Sequence, residues 1–366
     1  MNRIVLAYAG GLDTSVAVPW LAEKYGAEVV SVTLDLGQGR ELESVREAAL
    51  AAGAVRAHVI DAREEFADKY LLPALQAGAL YEGRDPLAAA LGRPLIAKKL
   101  VEIARIEGTD TIAHGCPGEG PDRMRIERPA RALMPAVRII APSHAWGLTH
   151  AEKVEYARER GIPAAATADA ARGAQANLWG RSVPCGALDD PWVEPPAGLY
   201  ALTKHPADCP GTPAYLEIEF EAGVPKAVNG VAMSFADIIA SVGTIAAAHG
   251  VGRIDMVECG AGGSLSRVVH EAPAAVVLHA AHRELEGVFS PGDLLRVKQD
   301  LAVEYAAMVY DGGWHSPLRG AMDAFVAAVQ QPVTGTVRTR LFKGSAQVVG
   351  RKRAPAHRPA LLEKAV

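Results

Sequence analysis

Two adjacent glycines, Gly10 and Gly11, stand between a short apolar run and a helical pattern, and no other stretch constrains this chain as much. Arg3-Ile-Val-Leu-Ala7 reads as a buried parallel strand. Residues 14–25 then place Val16, Val18, Leu21 and Ala22 at helical spacing. Glycine between a strand and a helix lets the backbone turn tightly and approach a ligand closely. That geometry aims several free N–H groups and the positive end of the helix dipole at an anion. Thr14 and Ser15 add hydroxyl donors and are also candidate helix caps. The segment Ala7-Tyr8-Ala9-Gly10-Gly11-Leu12-Asp13-Thr14-Ser15 lacks the lysine of GxxxxGK[ST] and contains no GxGxxG, so it belongs to neither of those phosphate loops.

The remainder of the first half alternates strand and helix. Strands are expected at 27–34, 56–61, 111–114 and 137–141, and helices at 41–52, 63–77, 95–107 and 149–160. Thr149 and Glu152 form the start signal of the last helix. This alternation predicts an α/β fold with a doubly wound parallel sheet and helices on both faces. Ligands in such sheets lie beyond the carboxyl ends of the strands, where the glycine loop, Asp35-Leu-Gly-Gln-Gly39 and His114-Gly115 all fall.

Near residue 170 the pattern changes. Residues 164–176 are alanine-rich and unpatterned and read as a linker, and prolines cluster at 191, 195, 196, 206, 210 and 213. Tyr215-Leu-Glu-Ile-Glu-Phe220 alternates cleanly, as an antiparallel strand with one wet face does. Helical patterns follow at 234–249, 272–287, 292–311 and 316–330, then a strand pair at 333–341 and 346–349 around Lys343-Gly344. The expected organisation is a first domain over 1–168, a second, α+β domain over 169–353, and a loose tail over 354–366.

Composition narrows the function classes. The net charge is −4 and no long basic run exists, which argues against nucleic acid; Arg351-Lys-Arg353 reads as part of a solvated tail. No run of about 18 apolar residues is present, so no membrane-spanning helix is expected. The N-terminus enters a strand directly, leaving no room for a signal peptide. Cys116, Cys185, Cys209 and Cys259 show neither CxxC spacing nor metal-like pairing with histidine, and suit a reducing cytoplasm.

The loop resembles the pyrophosphate loop of ATP pyrophosphatases, in the form AYSGGLDTS found in the argininosuccinate synthase family, with Ala9 in place of the serine. Further runs in family order extend the resemblance over nearly the whole chain: Arg93-Pro-Leu-Ile-Ala-Lys98, Asn177-Leu-Trp-Gly-Arg-Ser182, Asp190-Pro-Trp192, His249-Gly-Val-Gly-Arg-Ile-Asp255, Glu271-Ala-Pro273, His282-Arg-Glu-Leu-Glu286 and Val333-Thr-Gly-Thr-Val337. The resemblance implies a PP-loop ATP-binding domain, a second domain for substrate binding and multimerisation, a cytoplasmic homotetramer, and ATP with Mg²⁺ as cofactors. The implied reaction is a carbon–nitrogen ligation: the ureido oxygen of citrulline attacks the α-phosphorus of ATP, and the amine of aspartate then displaces AMP. The family positions that meet ATP correspond to Ala7 through Ser15, Leu34 and Gly115, with Asp13, Thr14 and Ser15 nearest the chemistry. Asp13 is either a Mg²⁺- or water-positioning carboxylate or a helix cap.

The substrate side departs from the family. The threonine and asparagine that grip aspartate are Pro117 and Pro121, and a lysine is Glu119, while Asp122 and Arg125 remain. Arg123 replaces a glutamine and is a candidate to restore positive charge. On the citrulline side a tyrosine is Asp85, a threonine–serine pair is Ala89 and Ala90, a serine is Gly173 and a second tyrosine is His270; Ser182 and Glu258 remain. So many lost polar contacts beside an intact ATP loop predict altered substrates, an acceptor with an amino-acid-like carboxylate and amine. Two alternatives stay open: a genuine argininosuccinate synthase using citrulline and aspartate, and a non-catalytic ATP-binding homologue. Cys185 and Cys259 are either small buried residues or sulfur carriers, and His114 reads as a hydrogen bonder behind the site.

Overall fold

The computed structural model describes residues 2–39, 42–116, 121–162, 174–184, 190–259 and 265–354, without the side chains of Glu258 and Cys259. The chain divides into two compact units, each discontinuous in sequence. Unit 1 comprises Met1–Arg63, Ala90–Gly173 and Met308–Ser316; unit 2 comprises Glu64–Ala89, Ala174–Ala307 and Pro317–Val366. The boundary expected near residue 168 lies close to the break after Gly173, and further breaks follow Arg63, Ala89, Ala307 and Ser316. Segment 64–89 packs with the later half, where the Gln76 amide donates to the Ala222 carbonyl (3.2 Å) and the Trp179 indole N–H donates to the Pro86 carbonyl (3.0 Å).

Unit 1 is built on five parallel strands, β1 (Arg3–Ala7), β2 (Glu28–Asp35), β3 (Arg56–Asp61), β4 (Thr111–His114) and β5 (Arg138–Ile140), in the order β3-β2-β1-β4-β5. Helices cover both faces, so β2 carries an unbroken buried run from Val29 to Leu34, as parallel strands do. The core gathers Leu6, Val16, Val18, Leu21 and Val29, all at most 1% exposed. The strand order reverses at the β1/β4 pair, which opens the crevice where ligands of such sheets bind.

Two helices differ from expectation. The helix expected over 95–107 spans Ala88–Ile106 and runs through Pro94, at the loss of one backbone hydrogen bond and with Leu91 and Leu95 fully buried. The helix expected over 63–77 contains a π-helical turn, Ala67–Leu71, between Arg63–Phe66 and Leu72–Ala77. Helix His150–Glu159 has the expected start, with the Thr149 hydroxyl accepting from the Glu152 N–H (3.3 Å) and the Glu152 carboxylate from the Thr149 N–H (2.8 Å).

Unit 2 holds β6 (Gln175–Asn177), β7 (Gly180–Pro184), β8 (Ala214–Glu221), β9 (Val224–Val228), β10 (Val231–Ala232), β11 (Arg253–Cys259), β12 (Leu265–Glu271), β13 (Gly335–Phe342) and β14 (Ser345–Arg353). They form two antiparallel sheets, β10-β9-β8-β13-β14 and β11-β12-β7-β6. The first contains the expected alternating strand and terminal strand pair. Its last strand reaches Arg353, so the basic cluster is no loose tail: Arg351 pairs with Glu284, and Arg353 stacks on Phe289. The tail beyond 354 and most of the expected linker, 163–173, lie outside the described residues. The second sheet is anchored by Glu271, fully buried, whose carboxylate accepts from Arg181 (3.0 Å), from the N–H groups of Ala201, Leu202 and Thr203 and from the Thr203 hydroxyl.

Candidate functional site

The glycine loop joins β1 to helix Leu12–Tyr25, and each of its residues has a local reason. Gly10 has φ +73°, a conformation that L side chains rarely adopt, and Gly11 caps the helix in extended conformation without any side-chain bond. The first backbone bond of the helix runs from Ser15 N–H to Gly11 C=O (3.0 Å). The N–H groups of Leu12, Asp13 and Thr14 are thus the helix donors that no preceding turn uses. Thr33 on β2 donates its hydroxyl to the Tyr8 carbonyl (2.9 Å) and Tyr8 N–H donates to Val32 (2.9 Å), tying the loop to the neighbouring strand.

Neither expected cap is made. The Thr14 hydroxyl donates to Gly11 C=O (3.2 Å) and lies 3.4 Å from the Ala9 nitrogen, so it braces the turn from inside. Ser15 is fully buried and its hydroxyl meets the Tyr8 phenol at 2.9 Å. Burial pushes the Tyr8 phenol up, so it stays protonated at neutral pH. Asp13 does not cap the helix either. It is half-exposed in the first turn, and its Oδ1 lies 2.5 Å from Lys153 Nζ. Nothing in the sequence pattern pointed to Lys153, because the contact spans 140 residues.

Gly115 follows β4 on the other side of the crevice. A Cβ there would sit 2.8 Å from Thr14 Cγ2, so only glycine lets β4 close on the loop. Leu34 ends the buried run of β2, its carbonyl accepting from the Gln38 amide (2.7 Å). Ala7–Ser15, Leu34 and Gly115 therefore converge on the carboxyl ends of three adjacent strands.

Behind the loop His114 is fully buried, with Nε2 3.5 Å from Glu127, which also pairs with Arg123 (2.6 Å) and Arg131 (2.7 Å). Burial by itself would lower the imidazole; the Cys116 thiol and the Glu127 carboxylate outweigh it and push His114 up to about 9. Glu127 is held far below its ordinary value by His114 and then the two arginines, against burial. Arg123 is thereby committed to Glu127, which answers the question of where its charge goes.

The expected substrate residues divide between the units. In unit 1, Pro121 opens a helix, Pro121–Leu133, that the sequence pattern did not reveal; proline suits a first helical position. Asp122 and Arg125, three residues apart, share one face of it. Asp122 takes Arg93 on one oxygen (2.8 Å) and Arg125 on the other (3.0 Å). Arg125 also donates to the Tyr310 carbonyl (2.6 Å) and stacks on the Tyr310 ring (4.2 Å). Ala90 is buried inside helix Ala88–Ile106. Pro117, Glu119, Gly173 and Cys185 lie outside the described residues, as do the side chains of Glu258 and Cys259.

In unit 2, Ser182 on β7 pairs directly with His270 on β12, which puts both on one face of the sheet. Glu258 on β11 pairs with Ser266 on β12. Asp85 accepts from the Leu87 N–H (2.8 Å) and its Oδ1 lies 3.6 Å from His270 Nδ1; both side chains are about 10% exposed. The two residues standing where the family has tyrosines are thus neighbours. Among the described residues no cluster of three or more histidines, cysteines or carboxylates is suited to hold a metal, and no helix is long and apolar enough to cross a membrane.

A doubly wound sheet with a glycine turn and a helix N-terminus at its switch point is the architecture of a nucleotide-binding domain. Comparison with known proteins makes this specific. The family model described as the arginosuccinate synthase N-terminal HUP domain matches residues 3–163, and that of the arginosuccinate synthase C-terminal domain matches 173–357. A protein named argininosuccinate synthase from Gloeobacter violaceus is 49% identical over 352 residues, covering 96% of this chain and 88% of that protein. Those from Oceanobacillus iheyensis and Symbiobacterium thermophilum are 47% and 49% identical over 351 residues, covering 96% of this chain and 84% and 88% of theirs. The chain belongs to the argininosuccinate synthase family and is an ATP-dependent, AMP-forming carbon–nitrogen ligase.

Proposed function

We propose that the protein joins citrulline and aspartate at the expense of ATP, forming argininosuccinate, AMP and pyrophosphate. The observation that carries this reading is identity near one half, sustained over 96% of the chain, to proteins named for that reaction. The ureido oxygen forms a bond to the α-phosphorus as the bond to the pyrophosphate oxygen breaks; the aspartate amine then forms the new C–N bond as AMP leaves with its oxygen. Negative charge grows on the departing pyrophosphate. The preorganised N–H groups of Leu12, Asp13 and Thr14 meet it without reorganising, and holding both reactants supplies further rate.

Mg²⁺ fits this loop modestly. Asp13 is the loop's carboxylate but is paired with Lys153, so it would reach a phosphate-bound Mg²⁺ only through its other oxygen or a water, and such a metal commonly needs only one or two protein carboxylates. When bound, the metal would neutralise polyphosphate charge. Arg125 serves a substrate carboxylate and Asp122 a substrate amine, while Ser182, Glu258 and the Asp85–His270 pair serve the acceptor. A cytoplasmic homotetramer completes the proposal, with small molecules as the partners and neither nucleic acid nor membrane.

One observation favours a second reading, an acceptor other than citrulline. Asp85 and His270, at two positions where the resemblance implies tyrosines, meet at 3.6 Å, as a matched pair would. Pyrophosphate and AMP release from purified protein with Mg-ATP, citrulline and aspartate, each omitted in turn, decides between them. Turnover that needs both amino acids and yields argininosuccinate by mass supports the first reading. Tight ATP binding without turnover supports the second, and a screen of carboxylate and amine pairs against the same signal would follow. In that case Asp85→Tyr/His270→Tyr should raise turnover with citrulline by an order of magnitude or so, the scale of regained polar discrimination.

A further inference from the structure

Asp13 raises a problem that the loop must solve. Its carboxylate sits in the first helical turn, beside the N–H groups that would receive a polyphosphate, and there it repels what the site is meant to bind. The structure answers with Lys153, whose Nζ lies 2.5 Å from Asp13 Oδ1. This is no loose surface pair. The Lys153 side chain is only 15% exposed, and its ammonium lies 5.8 Å from the centre of the Trp146 ring, which packs edge-on against Trp20 of helix Leu12–Tyr25. Farther along, the Tyr156 hydroxyl donates to Glu23 (3.2 Å) and Arg160 pairs with the same carboxylate (3.3 Å). Three links thus lash helix His150–Glu159 to the loop helix, and the one at the anion-binding end is a cation.

We propose that Lys153 is a positioning residue of the pyrophosphate loop: it neutralises Asp13 and holds it aside, so that the open N–H groups of Leu12, Asp13 and Thr14 accept polyphosphate. This rests on the reading of the loop as the ATP site. Lys153 acts through Asp13 and not by touching the phosphates, which separates it from an ordinary phosphate-binding lysine.

The test is calorimetric binding of inorganic pyrophosphate in EDTA, so that no metal intervenes, to the wild type, Lys153→Met, Lys153→Arg, Asp13→Asn and the double variant Asp13→Asn/Lys153→Met. Lys153→Met should bind at least about tenfold more weakly, the scale on which an uncompensated charge acts at a binding surface, and Lys153→Arg should stay near wild type. The double variant should bind within about threefold of Asp13→Asn, because without the carboxylate the lysine has nothing to neutralise. Unchanged binding by Lys153→Met overturns the proposal and leaves a purely structural pair. A double variant as weak as Lys153→Met overturns it in favour of direct contact. If Lys153→Met does not fold, the comparison of Asp13→Asn with the double variant still decides. A wild type that binds neither pyrophosphate nor ATP would instead defeat the reading of the loop itself.

Discussion

Gly115 shows how a residue is set by space and not by flexibility. Its Cβ would meet Thr14 Cγ2 at 2.8 Å, and Thr14 in turn braces the glycine turn. Gly115→Ala should therefore displace Thr14, weaken ATP roughly tenfold and cost about 1–3 kcal/mol of stability through overpacking. Nucleotide titration and urea denaturation would check this, and unchanged affinity would mean that the loop tolerates the shift. Lys298 is the contrasting case, a residue set by charge. It is buried beside Glu286 (2.5 Å), which also meets Gln330, while His282 Nε2 lies 2.8 Å from the Gln330 amide oxygen. Burial lowers the Lys298 ammonium against the pull of Glu286. Lys298→Met strands a buried carboxylate and should cost about 3–5 kcal/mol, whereas Lys298→Met/Glu286→Leu should recover most of it. Urea denaturation of both variants tests the coupling; equal losses would refute it.

At the scale of elements, legibility followed pattern purity. The parallel sheet was readable because β2 is a β-branched run buried on both faces, and β8 because it alternates without a break. The sheet of β6, β7, β11 and β12 was not, because it buries Arg181, Arg267 and Glu271, whose partners are distant in sequence. Helix Pro121–Leu133 was hidden by Pro129 and by its high charge, which the structure spends on Glu127 and Asp122. The glycine turn was legible since it is local, nine consecutive residues between a strand and a helix. Lys153, Arg93 and Tyr310 were not recognised, since only tertiary contact gives them a role. Helix His150–Glu159 was legible from its capping box, and the box matters beyond the helix. Thr149→Ala should cost about 1 kcal/mol and should also weaken pyrophosphate binding by loosening Lys153. Loss of stability with unaltered binding would show that the two are uncoupled.

The molecule as a whole carries opposite pH sensitivities in its two units. In unit 1, His114 is raised to about 9 from an ordinary 6.5, so its contribution is complete below 6.5 and disappears as pH rises through about 9. In unit 2, burial drives His279 down to about 3 and His282 down to about 4, so theirs is complete above 6.5 and falls away in acid. Calorimetric melting should lose stability toward pH 5 and again toward pH 9, by on the order of a few kcal/mol on the acid side. Glu127→Gln should flatten only the alkaline limb, and His279→Phe only the acid limb. Equal effects of either variant on both limbs would contradict this assignment.

The discontinuity of the units also orders events at the ribosome. Unit 1 begins at the first residue, yet Arg125 waits for the Tyr310 carbonyl, and Gly312, where a Cβ would come within 2.8 Å of the Met124 carbonyl, packs against the same helix. The nascent chain therefore cannot finish its nucleotide-binding half until residue 316 has left the exit tunnel, when most of unit 2 is already outside. All five strands of the parallel sheet are outside by residue 140, so during that interval it is helix Pro121–Leu133, not the sheet, that lacks its last partners.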